Sequence, residues 1–171
     1  MNIAGFYEES ISNGEGWRAV VFVSGCPHHC PGCHNEPAQD FSYGEPFNQQ
    51  EILDKIKDNF ILQGVTLSGG EPLCPENIPE VTGFMKEVKK LNLDIWCYSG
   101  YTFEELLEGS EDQKRLLETI DILIDGPFLQ AQKSLEIAFR GSRNQRILDV
   151  PKSLAAGCAV ETTSKRWLGE Y

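Results

Sequence analysis

No stretch of this sequence stays apolar long enough to span a bilayer, so a membrane-spanning helix is not expected. The opening residues, MNIAGFYEES, lack the basic segment and apolar core of a secretory signal. The expected compartment is therefore the cytoplasm, where thiols stay reduced and grouped cysteines more often serve metals or catalysis than disulfides. Positive charge is also scarce: 15 Lys and Arg stand against 26 Asp and Glu, a net charge of −11. Nucleic-acid binders carry a basic face that displaces counterions, so a polynucleotide partner is disfavoured. A charged protein partner remains open. There is no internal repeat and no low-complexity linker, so residues 1–171 read as a single domain. The segment 151–171 carries no interpretable motif, although Trp167 and Leu168 would suit docking. No conventional acid/base dyad is evident either.

What the chain does have is an alternation of short β-rich runs with helical patterns. RAVVFVSG reads as a buried strand ending at Gly25, and GVTLSGG as a second that stops at a glycine pair. LDIWCYSG is a third, DILIDG a fourth, and QRILDV a weaker fifth. Between them, EILDKIKDNF sets Ile52, Ile56 and Phe60 on one helical stripe, and ENIPEVTGFMKEVKKL does the same with Ile78, Val81, Met85 and Val88. Thr102 with Glu105, and Ser110 with Gln113, have capping-box spacing. Strand and helix in alternation imply right-handed crossovers and a parallel sheet, here too short for a full eight-fold barrel. The expected fold is an α/β open, partial parallel β/α barrel. Ligands in such folds gather beyond the carboxyl ends of the strands. The segments after Gly25, Gly69–Gly70, Ser99–Gly100 and Asp125 should therefore crowd one rim.

The first of those segments, SGCPHHCPGCHNE, concentrates Cys26, Cys30 and Cys33 with all three histidines of the chain. Thiolates bind soft and borderline metals, and spacings of two or three residues let one loop present several sulfurs to one centre. Two readings stay open on residues alone. A Cys3His zinc site would recruit His28, His29 or His34 as fourth ligand. A [4Fe–4S] cluster held by three cysteines would leave one iron open to a substrate or cofactor, the feature that separates catalytic from structural metal sites. Cys74, Cys97 and Cys158 have nothing around them that marks a ligand and read as structural.

C-x3-C-x2-C after the first strand, with SGGEP after the second, resembles the radical S-adenosylmethionine superfamily. Together with YSGY, IDGPF and RGSRNQ, it resembles the branch of activating enzymes that serve the anaerobic ribonucleoside-triphosphate reductase. The likeness runs from about Asn13 to Asp149. It implies that Cys26, Cys30 and Cys33 hold the cluster, and that S-adenosylmethionine binds the open iron. Gly69, Gly70 and Glu71 would receive its amino group, His34 and Asn35 would lie by the adenine, and Ser99 and Asp125 by the ribose and methionine parts. Gly32 stands where many members carry an aromatic, so no stacking is assigned there. Arg140, Arg143 and Arg146 could clamp the cofactor carboxylate or a partner, while His28 and His29 read as solvated loop residues. The implied reaction is reductive cleavage of the cofactor and generation of a glycyl radical on the reductase, fed by a one-electron donor such as a flavodoxin. The alternatives are a small radical enzyme acting on a metabolite and a non-catalytic zinc or iron–sulfur module.

Overall fold

The computed structural model describes residues 1–164. The chain runs through β1 (Asn2–Ser10), β2 (Arg18–Val23), β3 (Glu45–Pro46), α1 (Gln49–Asp58), β4 (Gly64–Gly69), α2 (Ile78–Lys90) and β5 (Asp94–Tyr98). It continues through α3 (Phe103–Leu107), α4 (Glu111–Leu117), β6 (Ile122–Asp125), β7 (Arg146–Asp149) and α5 (Val150–Ala156). The strands form one mixed sheet in the order β3-β1-β2-β4-β5-β6-β7, open at β3 and β7. Its centre, β2-β4-β5-β6, is parallel as expected. Both flanks are antiparallel, which corrects the expectation of a wholly parallel sheet. The reason lies in the connections. No α-helix separates β6 from β7, or β1 from β2, and a chain that returns without a crossover pairs antiparallel. In the segment whose role the sequence leaves open, Val150–Ala156 form α5, closed by Gly157 at φ +72. Trp167 and Leu168 lie outside the described residues.

Period-two alternation sorts the strand residues between two faces. Val21, Leu67, Ile95, Cys97 and Leu123 join the larger core with Ile52, Ile56, Val81, Phe84, Met85 and Val88 of α1 and α2. Phe60 departs from its expected stripe: it lies beyond the end of α1 and is 95% exposed. The helix stops first because Asn59 takes an extended conformation. Both capping boxes form as read, each with reciprocal side-chain and backbone bonds. No helix among the described residues is long and apolar enough to cross a membrane.

The other face of the sheet is closed at the amino ends of the strands by a polar plug. Arg18 is fully buried there; its Nε donates to Thr66 Oγ1 at 2.8 Å and its Nη2 to Asp94 Oδ1 at 2.5 Å. The guanidinium lies 5.2 Å from the Trp96 ring centre. Further up, Trp96, Ile124 and Ile147 pack with Tyr98 and Phe139 as a second, smaller core. This face is open at the end above the carboxyl termini of the parallel strands.

Leu67, 1% exposed at the centre of β4, tests how far the core carries the fold. Leu67→Ala should lower stability by about 2–5 kcal/mol, read as a fall in the urea midpoint with an unchanged slope.

Candidate functional site

The cysteine loop is built by closing its two ends on each other. Gly25 N donates to Ala38 O at 2.7 Å and Cys26 N to Gln39 O at 3.1 Å, so residues 26–38 form a pinned excursion beyond β2. Within it Cys33 N donates to Cys30 O, a tight turn that brings the second and third cysteines together. The loop then leans on the end of β4. Gly70 N donates to Val23 O at 2.7 Å and Glu71 N to Gly25 O at 2.8 Å. At Gly70 a Cβ would stand 2.4 Å from the Gly25 carbonyl oxygen, and at Gly69, where φ is +92°, 2.5 Å from that of Val23. The glycines are needed so that two backbones can meet.

One carboxylate locks this junction. Glu71 is 0% exposed and accepts four hydrogen bonds. Leu73 N and Ser99 Oγ donate to Oε1, both at 2.9 Å. Gly100 N donates to Oε2 at 2.7 Å and His28 Nε2 at 2.8 Å. A buried charge costs several kcal/mol unless its lone pairs are met, and here they are. Glu71 thereby joins β4, the end of β5 and the cysteine loop. His28 is corrected accordingly. It is a half-buried link, with its ring edge-on to Tyr101 at 4.5 Å and its pKa raised chiefly by the hydrogen bond to Glu71. His29, by contrast, sits outside at φ +49 with Nδ1 on Gln39 Oε1, a loop residue as expected.

Above the junction lies a cavity of about 640 Å³. Cys26, Cys30, Cys33, His34, Asn35, Gly69, Gly70, Glu71 and Ser99 all line it, so nine of the expected site residues share one space. The far wall comes from the β6–β7 connection: Phe128, Leu135, Ile137, Phe139 and Arg140. His34 rests against Phe128, ring centres 4.9 Å apart. Ser99 Oγ, besides donating to Glu71, accepts from Tyr101 N at 3.1 Å.

Asp125 does not line the cavity. It is 1% exposed, accepts from Arg146 Nε at 3.0 Å and Nη2 at 2.5 Å, and caps Phe103 N at 2.8 Å. Arg146 also forks onto Glu104, so the pair fastens β6 to β7 and to α3. Cys74 and Cys97 are buried, and burial pushes the Cys74 thiol up to about 12 and Cys97 well above its ordinary value. Neither lines the cavity, and Cys158 is exposed elsewhere. Asn77 went unread in the sequence. Its buried Nδ2 donates to Ser24 O at 3.0 Å and Glu71 O at 3.1 Å, tying the two strand ends together across 53 residues of chain. No local signal marks such a contact.

The donor set suits an iron–sulfur group. The three thiols are half-buried on one wall, and burial pushes Cys26 up to about 11, so ligation there would release a proton. Asn35 N donates to Cys33 Sγ at 3.4 Å, the kind of bond that tunes cluster sulfurs. Among the described residues, no three His, Cys, Asp or Glu side chains converge as they would on a single ion. A cluster spreads its thiolates over separate irons and does not require that convergence.

A family model described as a 4Fe-4S single cluster domain matches residues 12–148, which puts the chain in the class of iron–sulfur proteins on an α/β frame. The anaerobic ribonucleoside-triphosphate reductase-activating protein of Haemophilus influenzae is 42% identical over 153 residues, 86% of this chain and 97% of that protein. The protein of the same name from Escherichia coli K12 is 37% identical over 151 residues, covering 85% and 96%. That from Enterobacteria phage T4 is 35% identical over 152, covering 86% and 93%. The chain belongs to the family of anaerobic ribonucleoside-triphosphate reductase-activating proteins.

Glu71→Gln replaces one of the two accepting oxygens by a donor, setting an amide against N–H or O–H groups already aimed at it. The variant should lose about 1–3 kcal/mol in urea unfolding while keeping its far-UV dichroism.

Proposed function

We propose that this chain generates a glycyl radical on the anaerobic ribonucleoside-triphosphate reductase, through a [4Fe–4S] cluster and S-adenosylmethionine. The observation that carries this reading is the single cavity lined by Cys26, Cys30 and Cys33 on one side and by the SGGE strand end on another. When bound, the cluster would supply the single electron for reductive cleavage of S-adenosylmethionine, the source of the radical passed to a glycine of the reductase.

This chain's residues do the holding. Cys26, Cys30 and Cys33 would hold the cluster through their thiolates, from one wall of the cavity. Carbonyls at Gly69 and Gly70 accept from the cofactor's ammonium, with Glu71 keeping that strand end against the loop. His34 and Asn35 present backbone to the adenine, and Ser99 stands near the ribose. Asp125 acts at one remove, by fixing Arg146 and the base of the β6–β7 connection. The apolar wall of Phe128, Ile137 and Phe139 excludes water, which protects a reactive radical. No acid/base pair is required because the cofactor carries the difficult chemistry. The open sheet, read as a partial β/α barrel, leaves one side through which a loop of the reductase can enter. A one-electron donor such as a flavodoxin and a cytoplasmic setting complete the proposal.

The test is anaerobic reconstitution followed by iron and sulfide analysis and incubation with reductase, reductant and S-adenosylmethionine. A glycyl radical should appear by electron paramagnetic resonance, and Cys30→Ala should abolish both cofactor cleavage and the radical while the fold persists. Stoichiometric zinc without iron or sulfide would overturn the reading. Cofactor cleavage without a glycyl signal would point to a metabolite substrate.

A further inference from the structure

In the segment YSGY, residues 98–101, Ser99 Oγ and Gly100 N donate to Glu71, and the remaining atoms form a socket for one side chain of the cysteine loop. At Gly100 a Cβ would stand 2.5 Å from His28 Cδ2 and 2.8 Å from its Nε2, so the imidazole occupies the space that any larger residue would fill. Tyr101 closes the socket from the side, edge-on to the imidazole at 4.5 Å. At its floor, Glu71 Oε2 accepts from His28 Nε2 at 2.8 Å and from Gly100 N at 2.7 Å. The neighbours of His28 have no such seat. Among the described residues, no other side chain from Pro27 to Gly32 hydrogen-bonds to a strand end, and His29 reaches only Gln39 at the base of its own loop.

What the socket holds in place is backbone. Burial pushes the Cys26 thiol up, and the main-chain N–H groups of His28 and His29 pull against it by favouring the charged sulfur. The turn that aims them is a constrained one. His29 sits at φ +49, a left-handed conformation that residues with a Cβ adopt rarely. An imidazole fixed at the preceding residue supplies that constraint. Reduction adds negative charge to an iron–sulfur group, so N–H groups aimed at a ligand sulfur favour the reduced form and raise the potential.

We infer that His28 is a positioning residue for the iron–sulfur group: seated in the YSGY socket, it fixes the turn from Cys26 to Cys30 and thereby raises the potential of a cluster held there. The inference rests on the [4Fe–4S] reading.

The experiment is a redox titration of the anaerobically reconstituted protein, followed by electron paramagnetic resonance of the reduced cluster, with iron and sulfide counted beforehand. It compares wild type, His28→Leu, His28→Gln, Gly100→Ala and His29→Asn. His28→Leu fills much of the same space without a donor. It should lower the reduced-to-oxidised ratio at the wild-type midpoint about tenfold, or about 59 mV for one electron. Gly100→Ala keeps His28 and Glu71 but displaces the imidazole, and should shift the potential the same way. His28→Gln, whose amide can still donate to Glu71, should restore most of the wild-type value. His29→Asn, which suits a left-handed turn, should leave the potential unchanged. If the leucine variant assembles no cluster, Gly100→Ala against wild type carries the test. An unshifted potential in His28→Leu or Gly100→Ala would overturn the assignment and leave the radical reading standing. So would a glutamine variant shifted as far as leucine, or an equal shift in His29→Asn. Wild type that takes up no iron and sulfide would overturn both.

Discussion

The rim of this protein depends on one buried carboxylate. Glu71 gathers donors from its own turn, from the end of β5 and from the cysteine loop. A charge with no solvent around it tolerates little displacement of its partners, because each lost donor exposes a desolvation cost that water cannot relieve. Three segments distant in sequence are thus held in register by a requirement of electrostatics. Asn77 reinforces the same junction from below with a neutral amide.

The glycines of SGGE belong to that constraint. Their role in the fold is to let the strand end touch the cysteine loop, since a Cβ at Gly70 would overlap the Gly25 carbonyl. The proposed contact to a cofactor ammonium would use the same bare backbone. The opposite wall is assembled differently. A connection of some twenty residues leaves the β6–β7 hairpin, is fastened at its base by Asp125 and Arg146, and is turned by Phe139 against Tyr98 and Trp96. One wall is therefore rigid through buried polar bonds and the other through aromatic packing.

Much of this was legible in the residues. The four parallel strands, the α2 stripe and both capping boxes follow from periodicity and cap chemistry, which are local. So does the gathering of the cysteine loop, Gly69–Gly70 and Ser99 at one end of the sheet, because a parallel sheet places its strand ends together. Phe60 misled because period alone does not say where a helix stops. The antiparallel flanks escaped because pairing direction depends on what the intervening chain does. His28 looked like a loop residue because the carboxylate that claims it is 43 positions away. The Asp125 position was read correctly as a strand end, but its partner Arg146 turned it away from the cavity.

By itself the sequence determined the chemical inventory: three thiols at cluster spacing, a bare strand end on a neighbouring strand, and no acid/base pair to compete with them. Those are matters of residue type and short spacing, and they need no third dimension. Tertiary structure alone decided how equivalent residues divide their work. Of three arginines within seven positions, one is a half-buried strut, one a surface ion and one a cation facing the cavity. Of three histidines, one is locked to a carboxylate, one rests against an aromatic at the surface and one meets a glutamine there. The reason is physical: a charged side chain takes its role from the nearest opposite charge and from its exposure to water, and both are set by distant parts of the chain.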